Sequence, residues 1–359
     1  MPRFQTQMSG NASAVVRRAR RKRLAAAFAG LAALALAGCG RTGVDEDRVE
    51  PRFDVAGLDA AMHILSGRAR PGVLGAAVQD LETGETWAYN GDRRFPLASL
   101  ASLPIAAATL AEHDAGRLDL GQTIELAGQD LSPPPSPIAQ AWPARRAYPL
   151  DALLAAALEG DATAADVVVK RIGGPGAVGG WLQGRRVEGI RVDRYARQIG
   201  CEMSGLGSFR ADWAGEAAFT AVLDAVPAAE RRAAQAEYLL DPADTATPRG
   251  MLDFLRQLSA GELLEPASTR RLLALMNRPG AAPDRLQPAF PPGTRVARVT
   301  GAARPDLGVQ PAANEAAIVS QPGGRRYAVA VFLAGSALPG PARDALFADV
   351  GKAIARGVD

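Results

Sequence analysis

Strand-forming segments gather at the two ends of this chain, and the stretch between them reads as helix. Near the start, Val73 to Asp80 alternates, Glu82-Thr83-Gly84 supplies turn chemistry, and Thr86 to Tyr89 returns as a partner strand. Near the end come Val296 to Val299, Glu315 to Ser320, a Pro322-Gly323-Gly324 turn and Tyr327 to Leu333, then a helical run from Ala342 to Arg356. The middle carries helical patterns at Leu150 to Leu158, at Ala162 to Ile172 ahead of Gly173-Gly174-Pro175, and at Pro248 to Leu258 with Thr247 as N-cap. Residues 133 to 143, PPPSPIAQAWP, read as a stiff loop. This distribution predicts an α/β (α+β) fold: an antiparallel sheet built from N- and C-terminal segments, flanked by helices, with an inserted all-helical subdomain. The α/β part falls at about 54–94 and 265–359 and the helical part at about 95–264.

The N-terminus stands apart. RRARRKR at 17 to 23 precedes LAAAFAGLAALALAG at 24 to 38, an uncharged run short for a bilayer span. Residues 1–38 therefore read as an export signal and residues 39–53, charged and aperiodic, as a tether. Removing 1–38 takes away seven basic residues and no acidic one, so the formal charge moves from +3 to −4. The basic balance belongs to the signal, and no basic stripe interleaved with aromatics remains to suggest nucleic acid. Cys39 and Cys201 are the only cysteines, which leaves no disulfide framework if Cys39 is modified. Nothing in the sequence calls for a cofactor or a metal.

Leu36-Ala37-Gly38-Cys39 resembles the lipobox of bacterial lipoproteins, which implies a diacylated Cys39, a membrane contact through that lipid alone, and a place on the periplasmic face of a Gram-negative-like envelope. Ordinary cleavage nearby, with Cys39 an incidental thiol, is the alternative. The order basic, apolar, small, Cys favours the lipoprotein.

Four further stretches, DLETGETWAYNGDRRFPLAS at 80 to 99, DATAADVVVKRIGGPGAV at 161 to 178, TPRGMLDFLRQL at 247 to 258 and YAVAVFLAGS at 327 to 336, resemble the class A β-lactamases, which share a fold with penicillin-binding transpeptidases. The resemblance covers about residues 54 to 357. It implies a cleft between the α/β and helical parts, a serine nucleophile, and the motifs S-x-x-K, S-D-N and K-T-G with a glutamate on a separate loop. Each has a chemical reason: the hydroxyl needs a base, the glutamate holds the deacylating water, backbone N–H groups stabilise an oxyanion, and the K-T-G cation and hydroxyl hold a carboxylate.

The motif positions are mostly changed. Ser99 occupies the nucleophile position, but Ser102 replaces the lysine three residues on. S-D-N becomes Gly160-Asp161-Ala162, and K-T-G becomes Val299-Thr300-Gly301. The loop signature matches RVDRYA at 191 to 196, which puts Ala196 in the glutamate's position and Gly200 in that of its asparagine partner. Lys170 and Lys352, the only lysines beyond residue 38, fall in scaffold helices, as do His63 and His113. Arg285, fourteen residues before Val299, has two readings: a stand-in for the K-T-G cation, or a solvated arginine near a turn. Arg298 should point to the opposite face of its strand. The predicted site is thus Ser99, with Ser102, Asp161, Arg285, Thr300 and Gly301 around the pocket.

The chain spends 48 residues between Gly200 and Pro248, more than the family typically does. Residues 211 to 240 are helix-prone and punctuated at Pro227, so a helical hairpin within about 201–240 either covers the cleft, presents a surface to a protein partner, or is a neutral insertion. Glu202 is a candidate displaced base, with surface exposure as its other reading, and Cys201 reads as a packing residue. Three functional readings follow. The first is a catalytically degenerate protein binding a β-lactam, a peptidoglycan-like ligand or a protein. The second is a serine hydrolase working through Ser99, and the third a structural envelope protein with a closed cleft.

Overall fold

The computed structural model describes residues 53–278 and 285–358. The signal, nearly all of the tether, and Cys39 lie outside them. The chain enters through helix α1 (Val55–Ala69), where Asp54 caps the helix by accepting from Gly57 N at 2.9 Å. Strands β1 (Val73–Asp80) and β2 (Thr86–Tyr89) form the first hairpin, at the bounds the alternation predicts.

The middle segment begins with β3 (Phe95–Pro96) and a 3₁₀ turn over Ala98–Ala101, which runs into α2 (Ser102–Asp114). It continues through β4 (Thr123–Glu125), α3 (Pro137–Ala141), β5 (Ala147–Pro149), α4 (Leu150–Leu158), α5 (Ala162–Arg171) and α6 (Pro175–Gly184). Then come α7 (Ala196–Glu202), α8 (Glu216–Ala225), α9 (Ala228–Leu240), β6 (Thr245–Ala246), α10 (Pro248–Ala260) and α11 (Pro266–Met276). This segment is not purely helical: β3 pairs with β6 and β4 with β5, two short antiparallel ladders at its edges. The proline-rich stretch also contains a helix, because Pro137 suits a first-turn position and the Ser136 hydroxyl accepts from Ala139 N at 3.0 Å.

The chain returns as β7 (Arg295–Ala302), β8 (Gln310–Ser320) and β9 (Arg326–Ser336), and ends in α12 (Gly340–Val358). The main sheet has the order β2-β1-β9-β8-β7, antiparallel throughout, so the first hairpin joins the C-terminal strands through β1 against β9. Both faces are covered. On one, Leu58 and Met62 of α1 and Phe347, Val350 and Ile354 of α12 pack against Leu74, Val78, Val329 and Val331. On the other, Phe254 and Leu258 of α10 and the α2 face pack against Ala77, Ala330 and Phe332. Each fully buried aliphatic or aromatic side chain contributes about 1.5–3 kcal/mol, which is why these strands read as near-continuous apolar runs.

The strand β7 is left at the edge of the sheet, and its free edge faces the 3₁₀ turn that carries Ser99. That edge is where the two halves of the fold meet.

Candidate active site

Ser99 sits in the 3₁₀ turn between β3 and α2, one residue after Ala98, whose φ of +48° places a non-glycine residue in the left-handed region. Several contacts hold this turn. Asn314 of β8, fully buried, donates its amide to the carbonyls of Pro96 and Leu97, both at 2.9 Å. Leu97 N donates to Asp244 O at 2.9 Å. Gly301 of β7 lies so close that a Cβ there would stand 2.3 Å from Leu100 N and 2.8 Å from Leu97 O, so only glycine lets strand and turn touch.

One residue on, the ladder alternation turns the Ala302 backbone away from β8, since Ala303 N supplies the neighbouring bond to Ala312 O. The Ser99 hydroxyl donates to the Ala302 carbonyl at 3.4 Å. Nucleophile position and outward-facing strand amide therefore share one edge, as acyl transfer requires. Among the described residues, no lysine or histidine lines this cleft.

Ser102 is 2 % exposed on the first turn of α2, and its hydroxyl has no hydrogen-bond partner among the described residues. Gly160, at φ +96°, faces the nucleophile: a Cβ there would stand 4.0 Å from the Ser99 Cβ. A hydroxyl side chain at this position would adjoin Ser99, and glycine leaves that space open. Asp161 caps α5, accepting from Ala164 N, Ile138 N and the Ser136 hydroxyl, each at 2.9 Å. Burial pushes its carboxyl above the usual range, against those hydrogen bonds. Asp161 ties α5 to the proline-rich loop.

The loop from Arg191 is closed at its neck by Arg194, which meets Asp244 at 2.7 Å, Asp241 at 2.8 Å and Glu202 at 2.6 Å. Asp244 also accepts from Asp193 N at 2.7 Å and Arg194 N at 3.0 Å. Glu202 is thus an exposed ion-pair partner and does not line the cleft. Ala196 opens α7 and does line it, held by Asp166, a residue the sequence reading passed over. The Asp166 carboxylate accepts from Ala196 N at 2.5 Å, Arg197 N at 2.9 Å and the Ser132 hydroxyl at 2.7 Å. Burial drives its pKa up to about 6, opposed by these three donors. An acidic residue inside the apolar run ATAADVVV, five positions beyond Asp161, was its only sequence signal.

Three predicted pocket residues lie elsewhere. Arg285 is buried over the Phe347 ring at 4.5 Å, with Glu315 and Asp344 each at 3.6 Å. It belongs to the face of the sheet covered by α12, because spacing along a chain does not fix which face a residue reaches. Burial lowers its guanidinium pKa against the pull of those carboxylates. Arg298 points to the same face, 3.9 Å from Glu315, as the pleat requires. Thr300 follows Arg298 by that same alternation and does not line the cleft, and Gly301 is occupied by its contact with the turn. Lys170 pairs with Asp130 at 2.7 Å and Lys352 with Asp349 at 3.0 Å, while His63 and His113 are exposed. Cys201 is buried among Leu131, Phe209 and Phe219, and burial pushes its thiol up to about 11.

What remains at the cleft is a cavity of ≈110 Å³ reached by Ser99, Ser102, Gly160, Asp161 and Ala196. Its roof comes from the insertion. Helices α8 and α9 form the hairpin, broken at Val226-Pro227, and Phe219 and Tyr238 face the cavity. Arg304, just past β7, pairs with Glu216 at 2.5 Å and donates to Thr220 at 3.1 Å. Arg231 of α9 meets Asp306 at 2.7 Å, and Gln235 donates to the Asp306 carbonyl at 3.3 Å. The hairpin spans from the loop to the β7–β8 turn.

A family model described as the beta-lactamase enzyme family matches residues 58–358. The VEB-1 beta-lactamase of Pseudomonas aeruginosa is 24 % identical over 287 residues, 79 % of this chain and 85 % of its own length. Among solved structures, an ancestral class A beta-lactamase aligns with a TM-score of 0.66 at 29 % identity, covering 83 % of this chain and 99 % of its own. A beta-lactamase from Chitinophaga pinensis aligns at 0.68 and 24 % identity, over 84 % and 99 %, a likeness of fold. With the strand–turn contact at Ser99, the closed loop neck and these relatives together, the chain belongs to the class A beta-lactamase family.

Proposed function

We propose that this protein is a catalytically degenerate member of its family, exported and lipid-anchored through Cys39, that binds a ligand and does not turn over β-lactams. The observation carrying this reading is the environment of Ser99. Its hydroxyl is bonded to a backbone carbonyl, and no lysine, glutamate or histidine lines the cleft among the described residues. The three carboxylates that line it, Asp161, Asp166 and Asp244, are each engaged by three donors. A serine without a base is a weak nucleophile, and an acyl-enzyme without a water-holding carboxylate is not released. Loss of the catalytic unit in a serine hydrolase leaves about 10³–10⁴-fold acceleration over water, too little for useful turnover.

Export and the lipid rest on the basic-apolar-small-Cys order at 17 to 39, and no helix among the described residues is long and apolar enough to cross a membrane. The test of function is intact-protein mass spectrometry of the full chain after incubation with a penicillin, beside S99A. The expected result is neither a Ser99-dependent adduct nor hydrolysed drug. A stable Ser99-dependent adduct without turnover would refine the ligand to a β-lactam. Catalytic release of hydrolysed drug would overturn the reading.

A further inference from the structure

We propose that the roofed cleft binds one small, uncharged, largely apolar molecule bearing a single hydrogen-bonding oxygen, in the size class of a phenol or an aromatic alcohol. The inference deepens the reading of the cleft as a binding site without turnover and rests on it. Three independent observations carry it.

The first is charge. Every ionic group facing the cavity is already matched within the protein: Asp161 and Asp166 by their donors, Arg194 by Asp244, and Arg304 by Glu216. The strand position where the family places a cation is Val299, buried in the core. A carboxylate ligand would be desolvated with no free cation to receive it, which is unfavourable. The electrostatics select a neutral molecule.

The second is the unmatched hydroxyl. Ser102, 2 % exposed and lining the cavity, has no hydrogen-bond partner among the described residues, and a buried polar group left so is costly. Ser99, three residues before it on the same side of the helix start, makes only a 3.4 Å bond. A ligand hydroxyl or carbonyl placed between them would satisfy Ser102 as donor or acceptor. Among the described residues, the chain supplies a polar anchor and no group of its own to meet it.

The third is size and lining. At ≈110 Å³ the cavity is comparable with the roughly 150 Å³ engineered cavity that holds benzene. Ile105, Ala165 and Val169 contribute to its walls, and Phe219 and Tyr238 form its aromatic roof. Apolar walls with a few polar groups, of which the Ser99 and Ser102 hydroxyls are the ones left to meet a ligand, are the usual make-up of a small-molecule site.

The test is isothermal titration of the full chain with phenol, toluene and benzoate, repeated on S102A and on A165L, which fills the cavity. Phenol is expected to bind with a Kd on the order of 1 mM or tighter, and benzoate at least about tenfold more weakly. S102A should weaken phenol about five- to tenfold while leaving toluene unchanged, and A165L should abolish both. Benzoate binding as well as phenol, equal effects of S102A on phenol and toluene, or no phenol binding to the unmodified protein would each overturn the proposal. The penicillin mass measurement distinguishes the two failures. Drug turnover overturns the pseudoenzyme reading whatever phenol does, whereas absent phenol binding without turnover overturns this inference alone.

Discussion

Asp166 and Ser102 are both buried polar groups, yet they stand in opposite situations. Asp166 has three donors around a carboxylate that burial keeps at about pKa 6, above the ordinary aspartate value of 3.8. A group whose folded pKa is raised binds its proton more tightly in the folded state. Its stabilising contribution is therefore complete below about pH 3.8 and is lost as pH rises through about 6. A two-unit shift corresponds to about 2–3 kcal/mol. D166N removes this titration, so the melting temperature of the variant relative to the unmodified protein should rise between pH 4 and pH 7.5. Parallel curves would show that Asp166 does not titrate in that window. Ser102 has no partner to lose among the described residues, so S102A should leave stability unchanged or raise it by up to about 1 kcal/mol in urea denaturation. A loss larger than about 1 kcal/mol would reveal a hydrogen bond to the hydroxyl.

The 3₁₀ turn over Ala98–Ala101 is too short to hold its own geometry, and β3, β7 and β8 hold it from outside. Asn314 is the tightest of these ties. N314A strands the Pro96 carbonyl and leaves the Leu97 carbonyl with its bond from Leu100 N alone, with an expected cost of about 1–3 kcal/mol read by urea denaturation. A cost under about 0.5 kcal/mol would mean the turn stands without it. Such ties also explain what the sequence could and could not reveal. The first hairpin, β1 and β2, was legible from its alternation and turn, and most of β9 from a continuous apolar run after a Pro-Gly-Gly turn, both written in local residue order. Strands β7 and β8 run further than their apolar patterns suggest, since Gly301-Ala302 and Gln310-Pro311 extend through pairing and not through strand propensity. The glycine-rich helix α6 was invisible to propensity and forms because Val178 and Leu182 pack into the core. Motif positions were legible through their spacing from scaffold landmarks. The side of the sheet reached by Arg285 and the closure of Arg194 on Asp244, fifty residues apart, depend on tertiary contacts that no local pattern records.

Over the whole molecule, the insertion behaves as a separate layer laid across the junction of the two halves. Apart from the neck at Arg194 and Asp244, it is fastened by polar contacts at the β7–β8 turn and by two small apolar clusters, Phe219 and Leu223 with Leu131 and Ala139, and Tyr238 with Ala303 and Ala312. The main sheet and its flanking helices, by contrast, are held by two continuous apolar cores. Layers fastened this way open locally at lower free energy than the core unfolds. Arg231 and Asp306 form the best-shielded of the fastening pairs, with side chains only 11 % and 20 % exposed, so their contact is screened less than a surface bridge. R231A leaves the Asp306 carboxylate half-enclosed without its cation, at an expected cost of about 1–3 kcal/mol to hairpin docking. Each 1.4 kcal/mol is a factor of ten in opening. Amide hydrogen exchange read by mass spectrometry should therefore accelerate about five- to hundredfold in peptides covering 216–240. Peptides from α2 and β8 should keep their protection, because neither depends on the hairpin for its hydrogen bonds. If all peptides accelerate together, the insertion is cooperative with the core and the roof does not open on its own. If only the hairpin responds, the roof opens apart from the core, and the Arg231–Asp306 pair, with Arg304–Glu216 beside it, helps set entry to the cavity beneath.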